Sequence, residues 1–556
     1  RQTLIDTYGW TVTDGGQEVA NEFVISVKTD NAGSSSDNQF TLPWIGTYDI
    51  NWGDGSVETG LVNKQTHTYA SAGTYDIKVY ATTGRIYFDN REDKFKLLDI
   101  KNWGNCQWTD MSKSFQGCNS LTRLSCTDVP DLELCSSTYS MFRDCSSFEG
   151  YSGMNSWNMS SVTSISGMFY ACTPFNQPLG DWDVSSLIHL SGHYNGTFQR
   201  TSFNQNIESW DVSSVTHMIQ PFSSSPFNQP LNNWDVSSVV YFGPTGGNSD
   251  NFFGNAFNQP LDQWDVSSAL CMRGLFMGAA SFNQDISMWD MSNVTDIRLM
   301  FRSATSFNQP LNNWNLSSLA TVYGSFQGGV FSYATSFNQD LDNWDMSRVT
   351  NISKMFSDAT SFNGSINGWD TSNVTNMSDL FWRRYGGMSF NQPLDNWDVS
   401  SVTNMAKVFS GSSNFDQNIG NWDVSSVTNM QEMFSSYTSG GTVFNNGGSS
   451  SIENWDTSNV TSMSSMLSWG ASEFNHSMAN WNIEKVTDFR DILVRNNSFS
   501  TANYNATLIG WAAQSPQINE SINFGNSQYS LGGAAEAARN TLINTYGWTI
   551  SDGGGI

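Results

Sequence analysis

Charge is scarce in this chain, and positive charge scarcer still. Of 556 residues only 14% are charged, with 25 Lys and Arg against 51 Asp and Glu, which leaves a net charge of -26. A surface that acidic repels phosphate, so nucleic acid is not the expected partner. Histidine is nearly missing. His67, His189, His193, His217 and His476 form no HExxH, and His189 and His193, though four apart, have no Glu between them to complete such a motif. GxSxG, a Gly-rich phosphate loop and CxxC are also absent, so no enzyme is expected. Composition alone leaves a glycosidase carboxylate pair open, but repetition accounts for nearly all the carboxylates. No apolar run reaches about 18 residues, so no segment is expected to span a membrane.

What fills the chain instead is a repeated sentence close to FNQPLxxWDVSSVTxM, followed by a stretch ending in MF or LF. Its tryptophans are Trp157, Trp182, Trp210, Trp234, Trp264, Trp289, Trp314, Trp344, Trp369, Trp397, Trp422, Trp455 and Trp481. A period of roughly 25 residues predicts solenoid turns that cannot fold singly and bury their apolar faces against neighbours, giving a rod. The inserts GGNSDNFFG, GSFQGGVFS and TSGGTVFNNGG lengthen some turns and map to loops.

Within a turn, Phe307 and Leu311 are expected to point inward, with Pro310 at a tight corner. Val399, Val402 and Met405 bracket a β-branched run that predicts a brief strand. Met355-Phe356 and Met433-Phe434 predict a helical or 3₁₀ segment on the core. The Asp after each Trp, from Asp183 through Asp265 to Asp423, forms a column of like charge. Two readings fit it: an Asx turn accepting the backbone N–H two residues on, which is the preferred one because Asn158, Asn315 and Asn482 share the slot, or calcium held between turns. No cofactor is expected otherwise. The Asn after each Phe (Asn176, Asn258, Asn338, Asn391) predicts a ladder satisfying backbone groups.

Flanking segments differ. Phe23–Val27, Tyr48–Trp52 and Tyr75–Tyr80 alternate with period two and predict a small antiparallel β-sandwich over residues 22–90. The solenoid is expected over 91–500 and a C-terminal cap and linker over 501–556. Residues 1–16 return almost unchanged at 539–554, which makes 1–21 the expected tail of a preceding unit in a larger tandem array. Early turns from Trp108 to Cys145 lack the FNQ element. Cys118, Cys145 and Cys172 share one phase with Ala304 and Ala359, so the seven cysteines are expected to be mostly free and buried.

The motif Trp52-Gly53-Asp54-Gly55-Ser56, with His67-Thr68-Tyr69 and Gly73-Thr74-Tyr75, resembles the signature of PKD-like extracellular spacer modules. The repeats from about Trp103 to Phe499 resemble the BspA-type leucine-rich-repeat surface proteins in their WDVSxVTxM and FNQ branch. The combination is most similar to secreted proteins of Bacteroidetes, often exported by the type IX pathway. That resemblance implies an α+β class: a right-handed leucine-rich-repeat-type solenoid preceded by a PKD-like β-sandwich. It further implies an extracellular, cell-surface adhesin without catalysis.

Two functions are therefore expected: an adhesin whose irregular loops meet a host, matrix or neighbouring-cell protein or glycan, or a structural stalk without its own ligand. Adjacent units of the same chain are further expected partners. Aromatic departures from the repeat favour the adhesin. Phe381, Trp382, Arg383, Arg384 and Tyr385 are the candidate ligand contacts, an aromatic segment with two arginines in an acidic chain; the alternative is local packing, with Trp382 on a neighbouring loop and the arginines offsetting Asp379 and Asp395.

Overall fold

The computed structural model describes residues 22–192, 195–244, 251–323, 328–436, 442–469, 471–495 and 498–556. The expected tail 1–21, His193, Tyr437 and parts of the three inserts lie outside the described residues. The chain divides into two compact units: the described parts of Arg1–Ser191 with Thr197–Asp211, and of Gly192–Gly196 with Val212–Ile556.

The first unit begins with ten short strands: β1 (Phe23–Lys28), β2 (Gln39–Leu42), β3 (Trp44–Ile45), β4 (Thr47–Asn51), β5 (Val57–Val62), β6 (Gln65–Thr68), β7 (Thr74–Tyr80), β8 (Thr83–Ile86), β9 (Leu97–Asn102) and β10 (Gln107–Trp108). The alternating segments make an antiparallel sheet in the order β5-β4-β7-β1-β9. β2 pairs with β6, and β10-β8-β3 forms a further small sheet. Gly53, at φ 84°, is obligatory in the β4–β5 turn, because a Cβ there would lie 2.5 Å from the Asp76 carbonyl oxygen. Asp93 and Lys96 are fully buried, their charged groups 3.8 Å apart. Lys96 donates to the carbonyls of Ser35, Ser36 and Gln39, while Asp93 accepts from the Ser35 and Thr41 amides, which fastens the 33–41 loop. A buried ion pair holds when its spare donors and acceptors are satisfied in this way.

In both units the repeats run as stacked turns joined in parallel by isolated bridges. Asn351, Asn376, Asn404, Asn429, Ser462 and Asp488 form one such series in the second unit, and Ser137, Ser164 and His189 one in the first. Phenylalanines build two adjacent columns: Phe307 stacks on Phe282 and Phe337 at 5.9 and 6.0 Å, and on Phe301 of its own turn at 4.2 Å. Phe307, Leu311 and Trp314 are buried as expected.

The expected fold class is overturned. Strands, single bridges and turns dominate, and the sheets are several and small. Where Val399–Met405 was expected to be a strand, only Asn404 bridges, because a turn at Ser400–Ser401 consumes the preceding residues. The segment around Met355-Phe356 is neither α nor 3₁₀. The amides of Met355, Ser357 and Ala359 bond three residues back, while those of Lys354, Phe356 and Asp358 bond to Ser378, Leu380 and Trp382 of the next turn. That alternation needs left-handed residues, and Lys354 and Asp358 take φ 59° and 58°. Each costs about 1–2 kcal/mol for a residue with a Cβ, offset by bonding every amide in the run. A leucine-rich-repeat-type solenoid with a strand and a helical segment per turn is thus not what the chain builds. Nor do the N-terminal strands form the expected PKD-like sandwich: β1 sits between β7 and β9, and Phe23 packs on Trp103 and Trp108 of the first turns.

Among the described residues α-helix occurs only at the C-terminal end, the other helical pieces being short 3₁₀ segments such as Ser152–Ser156 and Ser450–Asn454. Helix α1 (Thr501–Ala512) is capped by Ser500, whose hydroxyl accepts from the Asn503 amide. Helix α2 (Ala534–Asn544) is alanine-rich, and just past its end Gly547, φ 72°, donates its amide back to the Ile543 carbonyl. Ser521–Asn523 pairs in parallel with Thr549–Ser551. Asp552 takes hydrogen bonds from Arg539 and the Tyr504 hydroxyl, both at 2.7 Å, tying α1 to α2 and the last strand.

Candidate functional site

Most polar side chains of the repeat are spent on the neighbouring turn. The indole N–H of Trp314 donates to the Ile286 carbonyl at 3.0 Å, and Trp264, Trp344, Trp369, Trp397 and Trp481 do the same one turn along. The asparagine ladder is present: Asn283 Oδ1 accepts the Asn308 amide at 2.9 Å, and Asn308 Oδ1 the Asn338 amide at 2.8 Å. Thr403 and Thr428 donate to the Thr375 and Thr403 carbonyls. Asp183, Asp235, Asp265, Asp290, Asp345, Asp398 and Asp423 each close an Asx turn; Asp265 Oδ1 accepts the Ser267 amide at 3.0 Å and Asp398 that of Ser400 at 2.9 Å. The hydrogen bonds from Ser267 hold the Asp265 carboxyl below its ordinary value, and Ser400 does the same for Asp398. All seven cysteines are buried and free, and Cys145 is pushed up to about 12, chiefly by burial.

Against that uniform background, one position of the left-handed turns carries charge of alternating sign. Lys354, Asp379, Lys407 and Glu432 occupy it in successive turns, with φ between 53° and 60°, each amide bonded to the following turn. Lys407 lies 3.6 Å from Glu432. Burial raises the Asp379 carboxyl, opposed by Lys354 and Lys407. Lys354, Asp379 and Lys407 line a cavity of about 210 Å³ together with Gly328, Ser332, Tyr333, Ser357 and Trp382. The Trp382 Nε1 is buried without a hydrogen-bond partner.

The five sequence candidates separate. Phe381 is core, stacked between Phe356 and Phe409 at 5.7 and 5.8 Å, and is no surface contact. Trp382 faces the cavity. Arg383 donates to the Tyr385 and Gly387 carbonyls and so shapes the loop. Arg384 lies over the Tyr385 ring at 5.4 Å, and Tyr385 is 65% exposed. Sequence reading missed Lys354, Asp379 and Lys407. The available signal was phase, since each stands immediately before MF, LF or VF.

In the first unit the WGDGS residues also come together. Trp52 stacks on His67 at 4.8 Å, Asp54 bonds the His67 Nε2 at 2.9 Å, and the Tyr69 hydroxyl donates to the Trp52 carbonyl. Every group is used within the cluster, which makes it a structural latch for the β4–β5 turn.

The family model described as "Mycoplasma protein of unknown function, DUF285" matches residues 84–199, 194–252, 247–330, 328–392 and 384–507. Among curated proteins nothing matches, and no solved structure does. With five tandem matches covering most of its length, the chain belongs to the DUF285 family of repeat proteins.

Proposed function

We propose that this member of the DUF285 family is a non-catalytic, extracellular binding array at a cell surface, one unit of a longer tandem protein that adheres to a glycan or protein of a host, matrix or neighbouring cell. The observation that carries this reading is the contrast between the repeat and its departures. Trp, Asn, Asp and Thr of the repeated sentence are consumed by bonds within and between turns. Trp382, Arg384, Tyr385 and the Lys354–Asp379–Lys407 row are not part of that sentence, and they gather around a cavity and an exposed loop. Irregular residues held by a regular scaffold are how repeat proteins form binding surfaces. The likeness of the WDVSxVTxM and FNQ repeats to those of BspA-type surface proteins supports placing the chain outside the cell. No helix of the described residues is long and apolar enough to cross a membrane. No cofactor is part of the proposal.

The alternative of a stalk without its own ligand draws on the same ladders, because a scaffold whose polar groups are all internally paired needs no partner. A panel of immobilised glycans and matrix proteins, probed with the whole chain, separates the two. Binding that falls on Trp382→Ala with Arg383→Ala and Arg384→Ala supports the array. A blank panel supports the stalk.

A further inference from the structure

The cavity beside Trp382 presents a particular order of chemistry. Along the row, successive turns place an ammonium (Lys354), a carboxylate (Asp379) and a second ammonium (Lys407). Stacked backbones separate such groups by roughly 5 Å, so the row reads donor, acceptor, donor across the cavity. A sugar hydroxyl is donor and acceptor at once. Two neighbouring hydroxyls of one ring can each donate to Asp379 while accepting from the flanking lysines, and no simple anion uses the carboxylate in this way.

Three further features fit the same occupant. The Asp379 carboxylate accepts no hydrogen bond among the described residues, so its lone pairs are available. The Trp382 Nε1 is a buried donor without an acceptor, a state that costs about 1–3 kcal/mol and is relieved by any oxygen brought into reach. The Ser357 hydroxyl donates to the Trp382 carbonyl at 3.2 Å, which leaves its oxygen free to accept. Tyr333 and Trp382 supply apolar wall for the ring carbons, and about 210 Å³ holds one sugar ring rather than a chain. Pockets with an apolar wall and a few convergent polar groups are the usual form of small-ligand sites.

The geometry points to a binding site for a single neutral sugar ring bearing adjacent hydroxyls, as at the end of a glycan. This rests on the reading of the chain as a binding array and names the ligand class for its Trp382 face. The charge order also tells against an anionic ligand, since a carboxylate or phosphate between the lysines would sit against Asp379.

The test titrates the whole chain with D-glucose, D-galactose, D-mannose and their methyl glycosides, with N-acetylneuraminate and inorganic phosphate as anionic probes, followed by saturation-transfer NMR and calorimetry. The expected result is millimolar binding of at least one neutral sugar, weakened at least tenfold by Asp379→Asn and by Trp382→Phe. Trp382→Phe keeps the ring and removes only the N–H, so it remains informative if a larger truncation fails to fold. Binding of the anionic probes alone overturns the proposal, as does sugar binding indifferent to both substitutions. If no monosaccharide binds while the glycan and matrix panel does, this inference falls and the array reading stands; if both are blank, both fall.

Discussion

Trp314 and Ile286 lie one turn apart, and the indole N–H of the first donates to the carbonyl of the second at 3.0 Å while the Trp314 ring stacks on Trp344 at 6.1 Å. One side chain thus does two jobs, apolar stacking and satisfaction of a buried carbonyl.

The two jobs can be separated. Trp314→Phe keeps an aromatic ring but leaves the Ile286 carbonyl unpaired, and should cost about 1–3 kcal/mol. Trp314→Ala also opens a cavity and should cost about 3–5 kcal/mol. Urea unfolding with local hydrogen exchange at turns 286–344 measures both; a Trp314→Phe variant as stable as wild type would show that the bond contributes nothing.

Asp265→Asn should be nearly silent, because the amide oxygen still accepts the Ser267 amide, whereas Asp265→Ala should lose about 1 kcal/mol. The Asp265 carboxyl is held below its ordinary value by Ser267. Its contribution is therefore present above the unfolded-state value and lost as pH falls through the folded one. Wild type should lose that increment on acidification and the Asn variant should not. A large rise in melting temperature with calcium, abolished by several such Asp→Asn changes, would instead favour a cation between turns.

Lys96→Met should destabilise the N-terminal sheet by about 3–5 kcal/mol, since it strands Asp93 as an unpaired buried charge. The Asp93 contacts to Ser35 and Thr41 place the damage in the 33–41 loop. Limited proteolysis should cut there first, with the α1–α2 cap unaffected.

Native protein should resist alkylation at all seven cysteines at pH 8, where a thiol pushed up to about 12, as at Cys145 and Cys271, carries almost no thiolate. Seven alkyl groups should appear by mass only after unfolding. Rapid labelling of folded protein, or fewer than seven groups without reductant, would contradict the buried free thiols.

Much of this was legible in the sequence because a repeat writes each contact many times. The inward Phe307 and Leu311, the Asp265–Ser267 turn and the asparagine ladder all follow from phase and local chemistry. The strand expected at Val399–Met405 failed because β-branched residues suit any extended backbone, and only the tight corner decides that one bridge survives. The run through Lys354–Asp358 was opaque for a deeper reason: nothing about Lys announces a left-handed conformation and Asp favours it only weakly, so it is imposed by bonds to the next turn. The site was half legible. Trp382 stood out by type, while Lys354, Asp379 and Lys407 are unremarkable alone and become a row only when turns are superposed.

The asparagine ladder has one further consequence. Asn308 donates its backbone N–H to the side-chain oxygen of the turn before and offers its own side-chain oxygen to the backbone N–H of the turn after, and the series closes where Asn475 accepts the amide of Ser500, the capping residue of α1. Nothing in the ladder counts. A whole turn can be duplicated or lost by recombination between near-identical stretches, and every donor will still meet an acceptor of the same kind. Length is therefore a freely heritable variable in this architecture, while the cap, held by the contacts of Tyr504, Arg539 and Asp552 that have no counterpart in the ladder, is not.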